Sequence, residues 1–248
     1  MSVIIPSINP ELQFSCIKSI RAHCTESPTE IILMCDKLTR PDKDAASLAD
    51  YVEVGSWPSF AAICNAGRSH AGGEYILFLN DDVVMLNDVV HLLACWMDTH
   101  WETGCVGPRV LDRQLTPTTA WGTFPFLVGG CLRFVGLTRF VGRSGERTKR
   151  VPYVTGACFM VRANDGLLFD EEFIPAYWEE VDYCLRLKMK GQASTYFRWA
   201  IIIHYGSHYW QRNGKDAHVA ENLWRFLLKH RPRRAKLYYL LYTRFGTK

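Results

Sequence analysis

The chain has 248 residues, of which 48% are hydrophobic, and its formal net charge at pH 7 is +4. That length supports one well-packed domain and leaves little room for a second domain of full size. The sequence has no stretch of about 18 uncharged apolar residues and no signal-peptide pattern at its start, so we expect neither a membrane-spanning helix nor secretion.

The nine cysteines are scattered along the chain without any C-x-x-C spacing, and several lie within apolar runs. Disulfide frameworks and zinc sites usually show closer or more regular spacing. The pattern is typical of reduced cysteines in a protein core. The sequence therefore predicts a cytoplasmic protein with structural cysteines.

Short β-branched runs alternate with helix-like segments in the first half of the chain. Strands are predicted over 2–5, 30–34, 51–54, 75–79 and 104–107, and helices over 10–23, 58–71 and 87–100. This alternation is typical of a largely parallel sheet that is covered by helices on both faces. Ligands bind at the carboxyl ends of the strands in such sheets, so polar residues that follow strands are the candidates for a site.

The pattern is looser between residues 108 and 151. This segment is rich in turns, aromatic residues and basic residues such as Arg133, Arg139 and Arg143, and we expect an adaptable loop or a short helical insertion. The domain resumes after it with the segment 153–161, a helix near 178–190 and a strand that ends at His204.

The chain ends in a basic segment. A helix predicted over 216–231 has an apolar stripe, which either completes the core of its own domain, as most such stripes do, or meets another subunit. Residues 225–248 contain eight Lys or Arg and no acidic residue. That charge suits an anionic membrane surface or another polyanion, and it equally suits a solvated helical face that keeps the protein soluble.

Two adjacent carboxylates, Asp81 and Asp82, follow the strand 75–79 after Asn80. Carboxylates at the end of a buried strand need a cation or hydrogen-bond donors to compensate their charge. A hard divalent cation that carries a diphosphate is one solution, and a turn or cap of backbone N–H groups is the other. His204 ends a later strand, where an imidazole either ligates a metal or is simply a core residue.

A second acidic cluster, Glu179, Glu180 and Asp182, opens the predicted helix near 178–190. Acidic residues in the first turn are stabilised by the helix dipole, and Asp182 can pair with Arg186 one turn later. Glu180 lies off the apolar stripe and has no obvious cation near it in the sequence. It is therefore the candidate general base, which must reach the proton that it removes.

The order of these motifs resembles the inverting GT-A glycosyltransferases of family 2, and in particular their rhamnosyltransferase-like branch. The matching segments run from about residue 2 to residue 210: Val-Ile-Ile-Pro6, a strand ending in Asp36, Phe60-x4-Asn65-x-Gly67, Gly73 to Asp82, Gly107-Pro-Arg, Val154-Thr-Gly-Ala157, Trp178 to Arg186, and Ile-Ile-His204. The resemblance implies a three-layer α/β/α fold, GT-A and Rossmann-like, with a mostly parallel mixed central sheet.

The resemblance also implies a domain organisation. A glycosyltransferase domain over 1–215 would consist of a nucleotide-sugar-binding half, 1–107, and an acceptor-binding and catalytic half, 108–215. The basic amphipathic extension 216–248 would follow it, with 225–248 as the part that meets an anionic membrane.

Particular residues acquire roles from the same resemblance. Glu180 would be the catalytic base, and Asp82 with His204 would bind Mg²⁺ or Mn²⁺. Asp81 would hold the ribose or the donor sugar. The donor, a UDP-, dTDP- or GDP-linked sugar, would contact a set of residues at strand and helix ends, namely Pro6, Ser7, Asp36, Asn65, Arg68, Asn80 and Asp81.

The chain departs from the family at two of these positions. Asn80 stands where the family often has Asp, and Glu180 stands where it usually has Asp, so the site has one fewer carboxylate and a longer base. The sequence predicts sugar transfer to a lipid-linked or cell-surface glycan, in the cytoplasm or at the inner face of the membrane. The alternatives are transfer to a nucleic acid or another polyanion, and a catalytically inactive protein that binds nucleotide-sugars.

Overall fold

The computed structural model describes residues 1–38, 40–126, 142, 144–206 and 215–245. Its centre is a mixed sheet, and the first strands of the chain form the parallel part of that sheet in the spatial order β3-β2-β1-β4. These strands are β1 (Ser2–Ser7), β2 (Glu30–Asp36), β3 (Tyr51–Gly55) and β4 (Tyr75–Leu79). Three of them are almost wholly buried, as expected for strands that have helices on both faces.

The later strands are β5 (Val83–Met85), β6 (Thr103–Leu111), β7 (Trp121–Gly122), β8 (Lys149–Val151), β9 (Tyr153–Val154), β10 (Cys158–Arg162) and β11 (Ala193–His204). Four of them extend the sheet beyond β4 in the order β10-β6-β11-β5. β10 is antiparallel to both of its neighbours, β11 is parallel to β6, and β5 and β8 pair antiparallel with β11. β7 and β9 form a separate two-stranded sheet.

Helices flank this sheet, and the predicted α/β architecture is confirmed. They are α1 (Pro10–His23), α2 (Lys43–Leu48), α3 (Phe60–Ser69), α4 (Val89–Thr99), α5 (Glu179–Met189), α6 (Lys215–His230) and α7 (Ala235–Phe245). α1 has the predicted bounds. α3 begins two residues later than predicted because Ser59 caps it and accepts a hydrogen bond from Ala62 N. Within the described residues, no helix is long and apolar enough to cross a bilayer.

The segment 153–161, with which the domain resumes, contains β9 and the first residues of β10. Val154 of β9 pairs with Trp121 of β7, whereas Cys158 of β10 pairs with Leu79 of β4. The two partners lie in different sheets, so the chain bends at 155–157 between them. The bend brings backbone to the carboxyl end of β4, where Asn80 N donates to Ala157 O at 2.9 Å.

The apolar stripe of α6 closes the core of its own domain, which was the expected outcome for this helix. Leu223 and Phe226 are fully buried in a cluster with Phe124, Phe173 and Trp178, apart from the main core around the sheet. The predicted basic residues Arg133, Arg139 and Arg143 lie outside the described residues, as do 246–248 at the end of the basic extension.

The described cysteines are free thiols, and all of them except Cys24 and Cys95 are buried. Burial raises the pKa of the Cys16 and Cys64 thiols well above the ordinary value. Such thiols stay protonated and unreactive, which agrees with the structural role predicted for cysteine. Cys131 lies outside the described residues.

Candidate active site

A cavity of about 490 Å³ opens at the carboxyl ends of the parallel strands. Its volume falls within the range of about 300–1,000 Å³ that is usual for small-molecule sites. Its walls come from residues that follow strands, from the bend at 155–157, and from the segment 175–180 before and at the start of α5. Of the predicted site residues it includes Pro6, Asp36, Asn80, Asp81, Asp82, Glu180 and His204.

Asp81 organises the loop that follows β1. Its Oδ2 accepts hydrogen bonds from Ser7 Oγ at 2.7 Å, from Ile8 N at 2.8 Å and from Asn9 N at 2.7 Å. Burial raises the pKa of this carboxyl, and the donors from Ser7 and Asn9 act in the opposite direction. Asp81 thus takes the role of a capped turn residue, one of the two solutions that the sequence left open.

Asp82 meets His204 across the sheet. Asp82 is 4% exposed, and its Oδ1 lies 3.2 Å from His204 Nε2. The contact follows from the pairing of β5 with β11, because His204 lies opposite Val83, the residue after Asp82. Tyr205 N also donates to Asp82 O at 2.9 Å, which fixes the end of β11 at this wall. The predicted pair is therefore together in the cavity.

The same wall has the chemistry to hold a divalent cation. Asn80 lines the cavity beside Asp82, and its Oδ1 is buried with no hydrogen-bond partner among the described residues. A carboxylate, an amide oxygen and an imidazole nitrogen are ligands that Mg²⁺ or Mn²⁺ accepts in proteins. No group of three His, Cys, Asp or Glu side chains that could hold a metal ion occurs in the described part of the chain. The remaining ligands would have to come from the substrate and water.

Two adjacent carboxyls, Glu179 and Glu180, also line the cavity at the start of α5. One oxygen of each, Oε2, is buried with no hydrogen-bond partner in the described structure. Burial raises the pKa of Glu179 well above its ordinary value, and the neighbouring Glu180 raises it further. Burial also raises the pKa of Glu180, whereas backbone N–H groups, including that of Gly156, act to lower it. Burial therefore favours the protonated form of both carboxyls, and the charge of Glu180 adds to this effect at Glu179.

The turn before α5 has an unusual backbone. Tyr177 and Trp178 adopt left-handed conformations with φ of 79° and 78°, which non-glycine residues rarely do. Trp178 Nε1 donates to Val219 O of α6 at 3.0 Å, and Asn222 Nδ2 of α6 donates to Ala176 O at 2.8 Å. These contacts hold the turn in place.

Tyr177 lines the cavity on this turn, and the sequence analysis missed it. Burial raises the pKa of its hydroxyl to about 12, with smaller contributions from the charges of Glu179, Glu180 and Asp82. The hydroxyl therefore lies close enough to Asp82 and to the Glu179–Glu180 pair to interact with their charges. No local pattern in the sequence marked the residue, because the turn that places it is fixed by contacts with α6.

Trp57 and Asp36 mark the other end of the cavity. Asp36 ends β2, and its Oδ1 accepts from Leu38 N at 2.9 Å. Trp57 follows β3 and lies directly over Gly55, where a Cβ would come 2.5 Å from the indole ring. The sequence analysis missed Trp57, although its position just after a parallel strand was a signal that could have found it.

Three predicted residues do not line the cavity. Ser7 is fully buried and donates to Asp81. Asn65 Nδ2 donates to Phe169 O at 3.0 Å, and its Oδ1 accepts from Phe169 N at 2.9 Å. Arg68 forms a buried ion pair with Asp165 at 2.8 Å. Asn65 and Arg68 tie α3 to residues 162–171, so the structure does not bring them to the wall of this cavity.

The remaining acidic residue, Asp182, is the centre of a group of ion pairs with Arg186, Lys229 and His230, which we call the Asp182 hub. Its side chain is fully buried and pairs with Arg186 at 2.7 Å, as predicted. Two cations of α6 also reach it, Lys229 Nζ at 2.9 Å and His230 Nε2 at 2.7 Å. Asp182 therefore fastens α6 to the helix that carries Glu180.

Comparison with known proteins agrees with this architecture. The profile of the family described as "Glycosyl transferase family 2" matches residues 2–165. Comparison with curated proteins gives no match. A crystal structure of GalNAc-T7 with UDP, GalNAc and Mn²⁺ has a TM-score of 0.59 at 14% identity, over 82% of this chain and 43% of that one.

Crystal structures of S. aureus TarS are also similar in fold. One has a TM-score of 0.54 at 12% identity, over 90% of this chain and 39% of that one. The structure of TarS 1–349 has a TM-score of 0.54 at 13% identity, over 94% of this chain and 73% of that one. The present chain thus spans less than half the length of the GalNAc-T7 chain and of the longer TarS chain. At these identities the likeness concerns the fold, and the predicted GT-A fold is confirmed.

Proposed function

This chain belongs to glycosyl transferase family 2, and from that premise we propose that it transfers a sugar from a nucleotide-sugar donor to an acceptor hydroxyl with inversion. The proposal rests above all on one observation. A buried carboxylate oxygen of Glu180 and the Asp82–His204 pair line the same cavity. A base in the same cavity as residues that can hold a divalent cation suits a displacement that releases a diphosphate, whereas binding alone needs no base.

We place the nucleotide of a UDP-, dTDP- or GDP-linked sugar at the Trp57 end. The indole ring offers a surface on which a base can stack, and stacking is available to each of these nucleotides. The Asp36 carboxylate at the same end can accept N–H groups of the base. The diphosphate then extends towards Asn80 and Asp82.

Asp82 and His204, with Asn80 Oδ1, would hold a divalent cation such as Mg²⁺ or Mn²⁺ beside that diphosphate. When bound, the cation supplies neutralisation of the negative charge on the departing group. Asp81 supports the site indirectly, because it fixes the backbone of Ile8 and Asn9 at the cavity wall.

Glu180 removes the proton of the acceptor hydroxyl while the hydroxyl oxygen attacks the anomeric carbon. The bond between that carbon and the diphosphate oxygen breaks from the opposite side, so the configuration at carbon inverts. The proton stays on Glu180 until it passes to solvent. The raised pKa of Glu180 makes it a stronger base than an ordinary glutamate.

For the acceptor we propose a hydroxyl of a lipid-linked or cell-surface glycan. Residues 108–215 would form the acceptor-binding and catalytic half and 1–107 the donor half. The position of Tyr177 in the cavity, near Asp82 and Glu180, supports contact with the acceptor or the transferred sugar. The proposed location is the cytoplasm and the inner face of the membrane.

Turnover of a panel of UDP-, GDP- and dTDP-sugars with Mg²⁺ and with Mn²⁺ tests the reaction first. With the best donor, Glu180→Gln should lower kcat by about 100-fold or more, because positioned bases commonly contribute that much. Donor affinity should not change. Glu179→Gln is the matched control, since an amide resembles the protonated carboxyl in shape and charge, and it should keep most of the turnover.

Two outcomes would contradict the proposal. If donors bind and none turns over with either metal, the chain is a nucleotide-sugar-binding protein. If Glu180→Gln turns over like the unaltered protein while Glu179→Gln does not, the base is Glu179.

A further inference from the structure

The outer side of α7 carries leucines where a helix docked on a core normally carries polar residues. Ala235 is buried, and Tyr238 and Tyr239 pack against the cluster formed by α5 and α6. Leu237 and Leu240, on the other side of the helix, are each 55% exposed. The helix is thus apolar on its inner side and also on its outer side.

Basic residues flank these leucines. Arg233 and Arg234 lie in the turn before α7 and Lys236 in its first turn, and all three are exposed. In the described structure no ion pair joins them to an acidic side chain, unlike Arg225 and Lys229 of α6. We call Arg233, Arg234, Lys236, Leu237 and Leu240 the α7 surface. No acidic residue follows Glu221 in the sequence, so the positive charge of the α7 surface is not balanced by acidic residues of the C-terminal segment.

We propose that the α7 surface docks on an anionic lipid bilayer. Leucines that project from a helix can enter the boundary between headgroups and acyl chains, while neighbouring Lys and Arg side chains reach the lipid phosphates. Charge complementarity favours this occupant over a second copy of the chain. A two-fold contact would bring the same cluster of basic residues against itself.

A bilayer docked on α7 would have a fixed position relative to the cavity, because a chain of contacts connects the two. α7 packs on α6, α6 is fastened to α5 by the Asp182 hub, and Asn222 of α6 holds the turn that precedes Glu180. The connecting contacts are buried or hydrogen-bonded. Docking itself does not depend on the transfer reaction, so its test needs no substrate.

Co-sedimentation of the whole chain with vesicles tests the docking. We expect binding to vesicles of phosphatidylcholine with phosphatidylglycerol, little binding to phosphatidylcholine alone, and loss of binding at high salt, since salt screens exposed charges. Arg233→Glu with Arg234→Glu should lower binding by about tenfold or more. Leu237→Ser combined with Leu240→Ser should also lower vesicle binding, although these substitutions leave the net charge unchanged.

Matched controls come from other surfaces of the same chain. Leu168→Ser removes a leucine that is 57% exposed, and Lys18→Glu reverses an exposed charge on α1. Neither should affect vesicle binding. The proposal fails if the α7 variants bind like the unaltered chain or if the controls lose binding equally. It also fails if sedimentation velocity shows a dimer that the leucine substitutions dissociate, because a second copy would then cover the surface.

Discussion

Replacement of Asp182 by Asn tests whether the hub holds α6 on α5. The substitution keeps the shape of the side chain and removes the charge that faces Arg186, Lys229 and His230 at 2.7–2.9 Å. Loss of one partner from a buried ion pair costs about 3–5 kcal/mol. Because the Lys229 side chain is 35% exposed and can keep its contact with Asp170, we expect the lower end of that range.

The assay is urea unfolding at neutral pH, with Asp170→Asn as the matched control. Asp170 also pairs with Lys229, at 2.5 Å, but both side chains are partly exposed. Exposed pairs contribute less than about 1 kcal/mol, so the free energy of unfolding should fall much less in this variant. The two substitutions thus separate the buried contact from the exposed one.

The effect of Asp182→Asn should also depend on pH. Burial alone would raise the pKa of Asp182, but His230, Arg186 and Lys229 together hold it below the ordinary value of 3.8. A lowered carboxyl pKa stabilises the fold above the unfolded value, and this contribution is lost as pH falls through the folded value. The difference between the variant and the unaltered protein should therefore shrink below pH 3.8. The role of the Asp182 hub in holding α6 on α5 would be refuted by equal losses of unfolding free energy in Asp182→Asn and Asp170→Asn. It would also be refuted if the difference between Asp182→Asn and the unaltered protein did not change with pH.

Three further predictions concern the cavity and its support. Gly55→Ala places a Cβ 2.5 Å from the Trp57 ring, so the ring must move, and donor Kd measured by calorimetry should rise while the fold stays intact. Arg68→Ala should lower the free energy of unfolding by about 3 kcal/mol, through loss of the buried pair with Asp165, and leave donor affinity unchanged. The acidic limb of the kcat/KM profile should lie above pH 4.5, because burial raises the pKa of Glu180 and the base must be ionised; a limb below that value would exclude Glu180.

The sequence was most informative where local chemistry decides the structure. The stripe of α1 predicted both of its ends, and the buried run before Asn80 predicted the bounds of β4. Asp82 and His204 were paired through the family resemblance, and they lie together because His204 is opposite Val83 in the pairing of β5 with β11.

Residues with distant partners were the ones that the sequence could not place. Arg68 looked available for a phosphate, but Asp165 lies 97 residues further along the chain. The role of Asp81 depends on backbone N–H groups 72 and 73 residues away. Nothing local distinguishes such an arginine or aspartate from a ligand-binding one, because its partners become neighbours only in the folded sheet.

The left-handed turn at Tyr177 and Trp178 connects α6 to the cavity, because α6 holds this turn in place although none of the described residues of α6 lines the cavity. Residues in such conformations cost about 1–3 kcal/mol each and persist only while their surroundings hold them. Here Asn222 of α6 is part of those surroundings, and it does not line the cavity. The profile match ends at residue 165, before this turn. Under the proposed function, in which Tyr177 contacts the acceptor or the transferred sugar, mutations in α6 would alter that side of the cavity and leave Asp36, Trp57 and Asp82 untouched. Evolution or an engineer would then have a separate way to adjust each substrate.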